Sequence, residues 1–305
     1  MAAFTAKDVM TLREQTGAGM MDCKRALVDA DGDMNKAVEL LRERGIAKAA
    51  KKATRIAAEG IVTSYIEGNT GVLLEVNCES DFVAKGDKFH ELAKQIAKQI
   101  AATKPATVEE LLAQNLVGED KTVELFIKEQ IAVIGEKISV RRFTVYTSEG
   151  LLESYIHMGG TLGVMLDFDA PVNEDTKALA HDVALHVAFA KPAYMTAAQV
   201  APETLEKEKE ILTKEVMNEG KPAAIAEKIV MGKIKKFYEE NCLLDQKFVK
   251  DADKTIAQLI SETSKKVGAP ISLKAYCFYV MGEGLEKKNE DLSEEVAKQV
   301  ESMKK

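Results

Sequence analysis

An α+β fold built from two copies of one unit is what this sequence predicts, with three helices in front, a helical hairpin inserted in the second copy and a helix at the end. Three observations carry that expectation. Sliding the chain against itself exposes an internal repeat. Within each copy, short apolar runs of strand type give way to helical spacing. The extra length of the second copy is confined to one Lys/Glu-rich stretch, residues 203–241.

Residues 1–55 read as three short helices. Thr5 followed by Asp8 resembles a helix start, Val9 and Leu12 form one apolar stripe, and Gly17 and Gly19 end that helix. A second helix over 22–29 carries Cys23, Ala26 and Leu27 before the Asp31-Gly32-Asp33 turn. Ala37, Val38, Leu40 and Leu41 mark a third that ends near Gly45. A unit this small is marginally stable alone. The Ala/Lys-rich segment 47–58 has no strong apolar stripe and reads as a helical linker.

The first copy spans 56–147 and the second 148–282. Glu59-Gly60-Ile61-Val62-Thr63-Ser64-Tyr65-Ile66 matches Glu149-Gly150-Leu151-Leu152-Glu153-Ser154-Tyr155-Ile156, and Gly71-Val72-Leu73-Leu74-Glu75 matches Gly163-Val164-Met165-Leu166-Asp167. Both pairs read as strand hairpins. Leu92, Ala93, Ile96, Ala97 and Ile100 then reappear as Leu179, Ala180, Val183, Ala184 and Val187, each helix ending at a Lys-Pro-Ala. A second helix and a last strand complete each copy: 123–136 then 137–146, and 255–267 then 271–280. Three antiparallel strands with helices on one face make a two-layer unit. In the insertion, Leu205, Leu212 and Val216 precede Gly220-Lys221-Pro222, then Ile225, Ile229 and Ile234 follow, a narrow seam fitting a protruding antiparallel coiled coil. Leu292, Val296 and Val300 give the closing module, 283–305, its helical spacing.

Composition excludes several classes. The chain has 305 residues, 46% apolar and 30% charged, enough for a sizeable core. A net charge of −7 without extended Lys/Arg blocks argues against direct nucleic-acid binding. No stretch approaches the ~20 apolar residues that a membrane span needs. Cys23, Cys78, Cys242 and Cys277 are far apart and read as reduced, mostly buried thiols. The expected compartment is the cytoplasm, and the start at Met1 without an Arg/Ser-rich leader favours a bacterial protein.

Catalytic motifs are missing. The Gly-Lys pairs precede Pro222 and Ile234, not the Ser/Thr of a phosphate loop. Gly159-Gly160-Thr161-Leu162-Gly163 sits between two strands, where a hairpin turn is favoured over a phosphate cradle. His181 and His186 point roughly 140° apart on one helix, so they do not share a metal easily, and His186 reads as a partly buried structural residue. Two segments stay open on the residues alone. Ser80 or Asp81 caps a helix with Phe82 in the core, or Phe82 is an apolar wedge and Asp81 a polar anchor on an exposed loop. Met20 and Met21 are core filler or a partner-binding face.

Gly17-Ala18-Gly19-Met20-Met21-Asp22-Cys23-Lys24 and Asn77-Cys78-Glu79-Ser80-Asp81-Phe82-Val83-Ala84-Lys85 resemble the two signature stretches of the elongation factor Ts family. The likeness continues through Ile134-Gly135-Glu136, Ser154-Tyr155-Ile156-His157, His186-Val187-Ala188, Gly220-Lys221-Pro222, the 225–237 helix and Gly282-Glu283-Gly284-Leu285-Glu286-Lys287. Ser80 departs from the threonine usual there, and Met158-Gly159-Gly160-Thr161 differs after His157. The resemblance implies a ubiquitin-associated-like N-terminal domain and a guanine-nucleotide exchange factor that binds elongation factor Tu carrying GDP. It implies that Ser80, Asp81, Phe82 and Val83 dislodge the partner's Mg²⁺, with Ile134, Gly135 and His157 nearby, while Leu12, Met20 and Met21 grip the same domain elsewhere. The hairpin and final helix would contact other surfaces of the partner or a second copy. No catalytic residue, metal or cofactor of its own is implied. The rivals are a scaffolding protein that only joins subunits and, more distantly, an enzyme using His157 and the 159–163 turn.

Overall fold

A computed structural model describes residues 4–218 and 223–286, without side chains at 223–225. The expected closing helix at Leu292, Val296 and Val300, the 220–222 turn and the Ile225 side chain lie outside the described residues.

Three helices open the chain: α1 (Ala6–Thr16), α2 (Met20–Asp29) and α3 (Met34–Lys52). Thr5 and Asp8 form a reciprocal capping box at the start of α1, which stops at Gly17 in the left-handed conformation. Val9, Leu12, Cys23, Ala26, Leu27 and Ala37 close a small core. The third helix does not end near Gly45. It runs on into the expected linker as far as Lys52, because Gly45 is buried where α3 crosses a later helix; a Cβ there would lie 3.2 Å from the Ala132 Cβ. Absence of a side chain permits the close crossing, and that packing outweighs the ~1 kcal/mol helix penalty of glycine.

The first copy contains β1 (Glu59–Glu67), β2 (Thr70–Cys78), the single turn α4 (Asp81–Ala84), α5 (Asp87–Thr103), the short α6 (Val108–Ala113), α7 (Val123–Ile134) and β3 (Ser139–Thr147). The second contains β4 (Leu151–His157), β5 (Leu162–Asp169), α8 (Glu174–Ala190), the hairpin α9 (Pro202–Asn218) and α10 (Ala223–Asn241), the small β6 (Lys247–Phe248) and β7 (Asp251–Thr255), α11 (Ile256–Val267) and β8 (Ser272–Val280). Each copy forms an antiparallel three-stranded sheet with its second strand central, in the orders β1-β2-β3 and β4-β5-β8. The hairpin seam is Leu205, Leu212, Val216, Ala226, Ile229, Val230, Ile234 and Tyr238. The helix α6 and the β6–β7 ribbon are additions to the strand, strand, helix, helix, strand expectation.

Helices cover only one face of each sheet; the other faces pack on each other. Alternation along the central strands assigns the sides. Val72, Leu74 and Val76 meet α5 and α7, and Val164, Leu166 and Phe168 meet α8 and α11, while Leu73, Val62 and Met165 lie between the sheets. This explains why β2 is buried along its whole length and reads as a nearly unbroken apolar run. The packing is a local two-fold. Ser64 donates to Ser154, its own counterpart in the repeat, at 3.0 Å. Gly71 abuts Met165 and Leu152, and Gly163 abuts Val62 and Leu73. Even the irregularities repeat: β3 bulges at Arg141 opposite Glu75, and β8 bulges at Lys274 opposite Asp167.

The two Lys-Pro-Ala stops are also equivalent. Lys104 (φ 48°) and Lys191 (φ 47°) end α5 and α8 in the left-handed region, their N–H groups donating to Ile100 and Val187. Proline then blocks continuation.

Candidate functional site

β2 leaves its sheet at Cys78, whose buried thiol lies 3.2 Å from the Ser80 carbonyl; burial pushes that thiol up to about 12. Ser80 is the N-cap of α4, its Oγ accepting from the Val83 N–H at 3.3 Å. Its hydroxyl donates in turn to Glu136 Oε1 at 2.5 Å. The Glu79 and Ser80 N–H groups both donate to Glu136 Oε2, at 3.0 and 2.9 Å. Glu79 returns the contact, accepting from the Lys137 N–H at 2.6 Å and pairing with Arg55 at 3.2 Å.

Phe82 stands 85% exposed on this turn, which excludes the core-filling reading. Val83 tucks against the first core and Ala84 is buried, so α4 is seated through one side only. Seven residues on, Phe89 is 1% exposed and anchors α5. Burying such a ring contributes about 1.5–3 kcal/mol. Asp81 is half exposed and pairs with Lys85 at 2.6 Å; that hydrogen bond holds its carboxyl below the usual range. The capping expectation for Ser80 and the exposed-ring expectation for Phe82 thus hold together in one turn.

Ile134 and Gly135 end α7 beside it. Gly135 adopts φ 91°, turning the chain so that Glu136 faces the 79–80 backbone, and its carbonyl accepts from the Lys52 ammonium at the end of α3. Ile134 packs against the first core. His157 ends β4 with Nδ1 2.9 Å from the Tyr155 hydroxyl. The turn after it is a hairpin turn whose polar groups are occupied. Gly160 and Thr161 N–H groups donate to the His157 carbonyl, and the Gly160 carbonyl accepts from the Val62 N–H. This turn therefore sits on β1, the strand that α4 also packs against, and it carries Met158 at 77% exposure.

Leu12 is wholly buried within the three-helix core, whereas Met20 and Met21 are 40% and 63% exposed. Leu12 therefore presents no surface of its own, whereas the two methionines do. The unit is docked on α7 through Gly45 against Ala132 and Gly17 beside Val133.

Outside this region His181 and His186 have partners within the fold. His186 is 2% exposed, more deeply buried than its sequence position suggests, with Nε2 on Gln246 at 2.9 Å and Nδ1 accepting from the Val249 N–H; burial holds its pKa below the usual value. His181 pairs with Glu153. Among the described residues no group of three or more His, Cys, Asp or Glu is placed to hold a metal, and no helix is long and apolar enough to cross a membrane. Glu136 is the site residue that single-residue reasoning missed. Its partners lie 56 and 57 positions away, so no local pattern announces the contact.

The chain matches the family model described as elongation factor TS over residues 79–283. It is 52% identical over 299 residues to a protein named elongation factor Ts from Clostridium perfringens strain 13, covering 97% of this chain and 98% of that one. It is 48% identical over 303 residues to the elongation factor Ts of Clostridium kluyveri strain NBRC 12016, covering 98% and 99%. The protein of the same name from Clostridium botulinum strain Loch Maree is also 48% identical, over 97% of this chain and 98% of its own length.

Proposed function

Because this chain belongs to the elongation factor Ts family, we propose that it is the guanine-nucleotide exchange factor of elongation factor Tu, acting in the cytoplasm during protein biosynthesis. The translational role follows from the family. The exchange mechanism is our reading of the site, and the observation that carries it is the 85% exposed ring of Phe82 on a turn held by hydrogen bonds to a distant segment. An isolated exposed phenylalanine does nothing for the fold, but on a fixed turn it is a ready anchor for a partner's pocket.

In this reading Ser80, Asp81, Phe82 and Val83 enter the GTPase beside its Mg²⁺ and diphosphate, with Ile134, Gly135 and His157 flanking. Met20 and Met21 grip the same partner at a second point, which Leu12 braces. The α9–α10 hairpin and the 283–305 module meet further surfaces. No bond is made or broken by this protein, and it needs no metal or cofactor.

Exchange is then linkage: factor and nucleotide weaken each other's binding to the GTPase by the same factor. Swinging the partner from about 99% to about 1% nucleotide-bound takes roughly 5.5 kcal/mol of coupling. One ring does not supply that alone, so the methionine face and the hairpin share it. The test is release of fluorescent GDP from purified elongation factor Tu. The parent protein should accelerate release, and Phe82→Ala should slow the stimulated rate by a factor of about 10 or more with an unchanged circular dichroism spectrum. A protein that binds the GTPase without accelerating release would be a scaffold instead.

A further inference from the structure

We infer that Glu136 is a positioning residue which holds the Asp81–Phe82 turn in its docking pose. The inference rests on the wedge reading above and adds the group through which the wedge is made rigid.

The need for such a group follows from the size of α4. A helix of four residues, Asp81–Ala84, has one turn and does not persist by its own hydrogen bonds. Its exposed ring fixes nothing, and the Asp81–Lys85 pair is a surface contact. What ties the start of α4 down is the Glu136 carboxylate, which takes the Glu79 N–H, the Ser80 N–H and the Ser80 hydroxyl at 3.0, 2.9 and 2.5 Å. Hydrogen bonds to an ionised acceptor are about twice as strong as neutral ones. The acceptor itself is firmly placed. Gly135 in the left-handed conformation aims it, Lys52 holds the Gly135 carbonyl, and Glu79 grips the Lys137 N–H from the other side.

The duplicated unit provides an internal control. Register with the 138–140 and 271–273 strand starts puts Ala269 where the first copy has Glu136. Register along the central strands puts Pro171, which has no N–H, where the first copy has Glu79. The acceptor and the first of its backbone donors are missing together, yet the second copy closes its sheet and core all the same, with Asn173 capping α8 directly. The clamp is therefore not needed to fold this unit. It occurs in the copy that carries Phe82 on a single turn; the exposed Phe189 of the second copy sits on the 17-residue α8, which needs no such clamp.

The experiment compares E136A, E136Q, F82A and the double variant E136A/F82A in GDP release from elongation factor Tu, with thermal melting of each. In E136A the saturating release rate should fall by a factor of about ten while half-saturation changes little, because the rest of the interface still docks. E136Q keeps an oxygen facing the two N–H groups and should recover most of the rate. The double variant should be no slower than F82A, since Glu136 acts through the ring. Should E136A melt below the assay temperature, Glu136→Asp draws the carboxylate back by one methylene and carries the same expectation as E136A. A parental rate in E136A or Glu136→Asp beside a slow F82A overturns the positioning role and leaves the wedge standing. Multiplying effects in the double variant also overturn it. A parental rate in F82A overturns the wedge itself and this inference with it.

Discussion

The two copies of the α+β unit share a sheet, a bulge, a glycine at each close contact and a left-handed lysine stop, and they differ at the exit from the central strand. In the first copy that exit is the Glu136-clamped turn bearing Phe82. In the second it is Ala170-Pro171, leading straight into α8. The shared features are those that two sheets need in order to pack face to face. The difference falls at the end of the central strands, beyond the face that the two sheets share, where only one side of α4 is packed. The scaffold occurs twice, and one copy carries the Phe82 turn while the other carries the α9–α10 insertion.

The pair of buried acids offers the strongest way to break this symmetry. Each central-strand acid receives a donor from the segment that follows the other copy's last strand: Glu75 takes the Gly282 N–H at 2.8 Å, and Asp167 takes the Ser148 hydroxyl. Glu75 alone is also held by Arg141 and Arg142, at 2.9 and 2.6 Å. Removing its charge leaves two guanidiniums facing a neutral group, so Glu75→Gln should destabilise by about 3 kcal/mol, against about 1 kcal/mol for Asp167→Asn, both measured by urea unfolding. Equal losses would mean that the arginines contribute nothing.

That contrast is sharpened by pH. Burial pushes the Glu75 carboxyl up, but the Gly282 N–H and the two guanidiniums outweigh it and hold it below the ordinary 4.5. A depressed acid stabilises the fold above its unfolded value, and the contribution is lost as pH falls through the folded value. The parent protein should therefore lose stability on acidification below about 4.5, and Glu75→Gln should have a flatter profile there.

A medium effect is expected at the sheet interface. A Cβ on Gly163 would lie 2.5 Å from Val62 and one on Gly71 2.8 Å from Met165. Gly163→Val and Gly71→Val should each cost about 2 kcal/mol in thermal unfolding. Gly71 should be the milder, because the methionine sulfur it meets can move aside. The smallest effect belongs to the lysine stops. Lys191→Gly should stabilise by about 0.5–1 kcal/mol by relieving a left-handed side chain. Lys104→Gly should gain less, since Lys104 also donates to the Thr147 hydroxyl.

The repeat and the helical spacing of Leu92, Ala93, Ile96, Ala97 and Ile100 were readable because strand and helix periods are properties of adjacent residues. So were the helix start at Thr5 and Asp8, the Lys-Pro-Ala stops and the hairpin at 203–241, and the signature stretches carried the family. Misread was the end of α3 at Gly45, whose glycine serves a crossing with α7, and left open was the side of Phe82, whose ring the residues alone allowed either way. The deep burial of Leu12 was hidden for the same reason: a stripe shows that a residue faces something, not what.

By itself the sequence determined the main strands and helices, their order, their duplication and the family, since each of these rests on local propensity and on pattern within a few turns of chain. Only the tertiary structure decided that the two sheets pack face to face about Ser64 and Ser154, and that Glu136 reaches back to the Glu79–Ser80 backbone to hold an exposed ring. Those contacts join residues dozens of positions apart, and their energy depends on where separate elements meet in space.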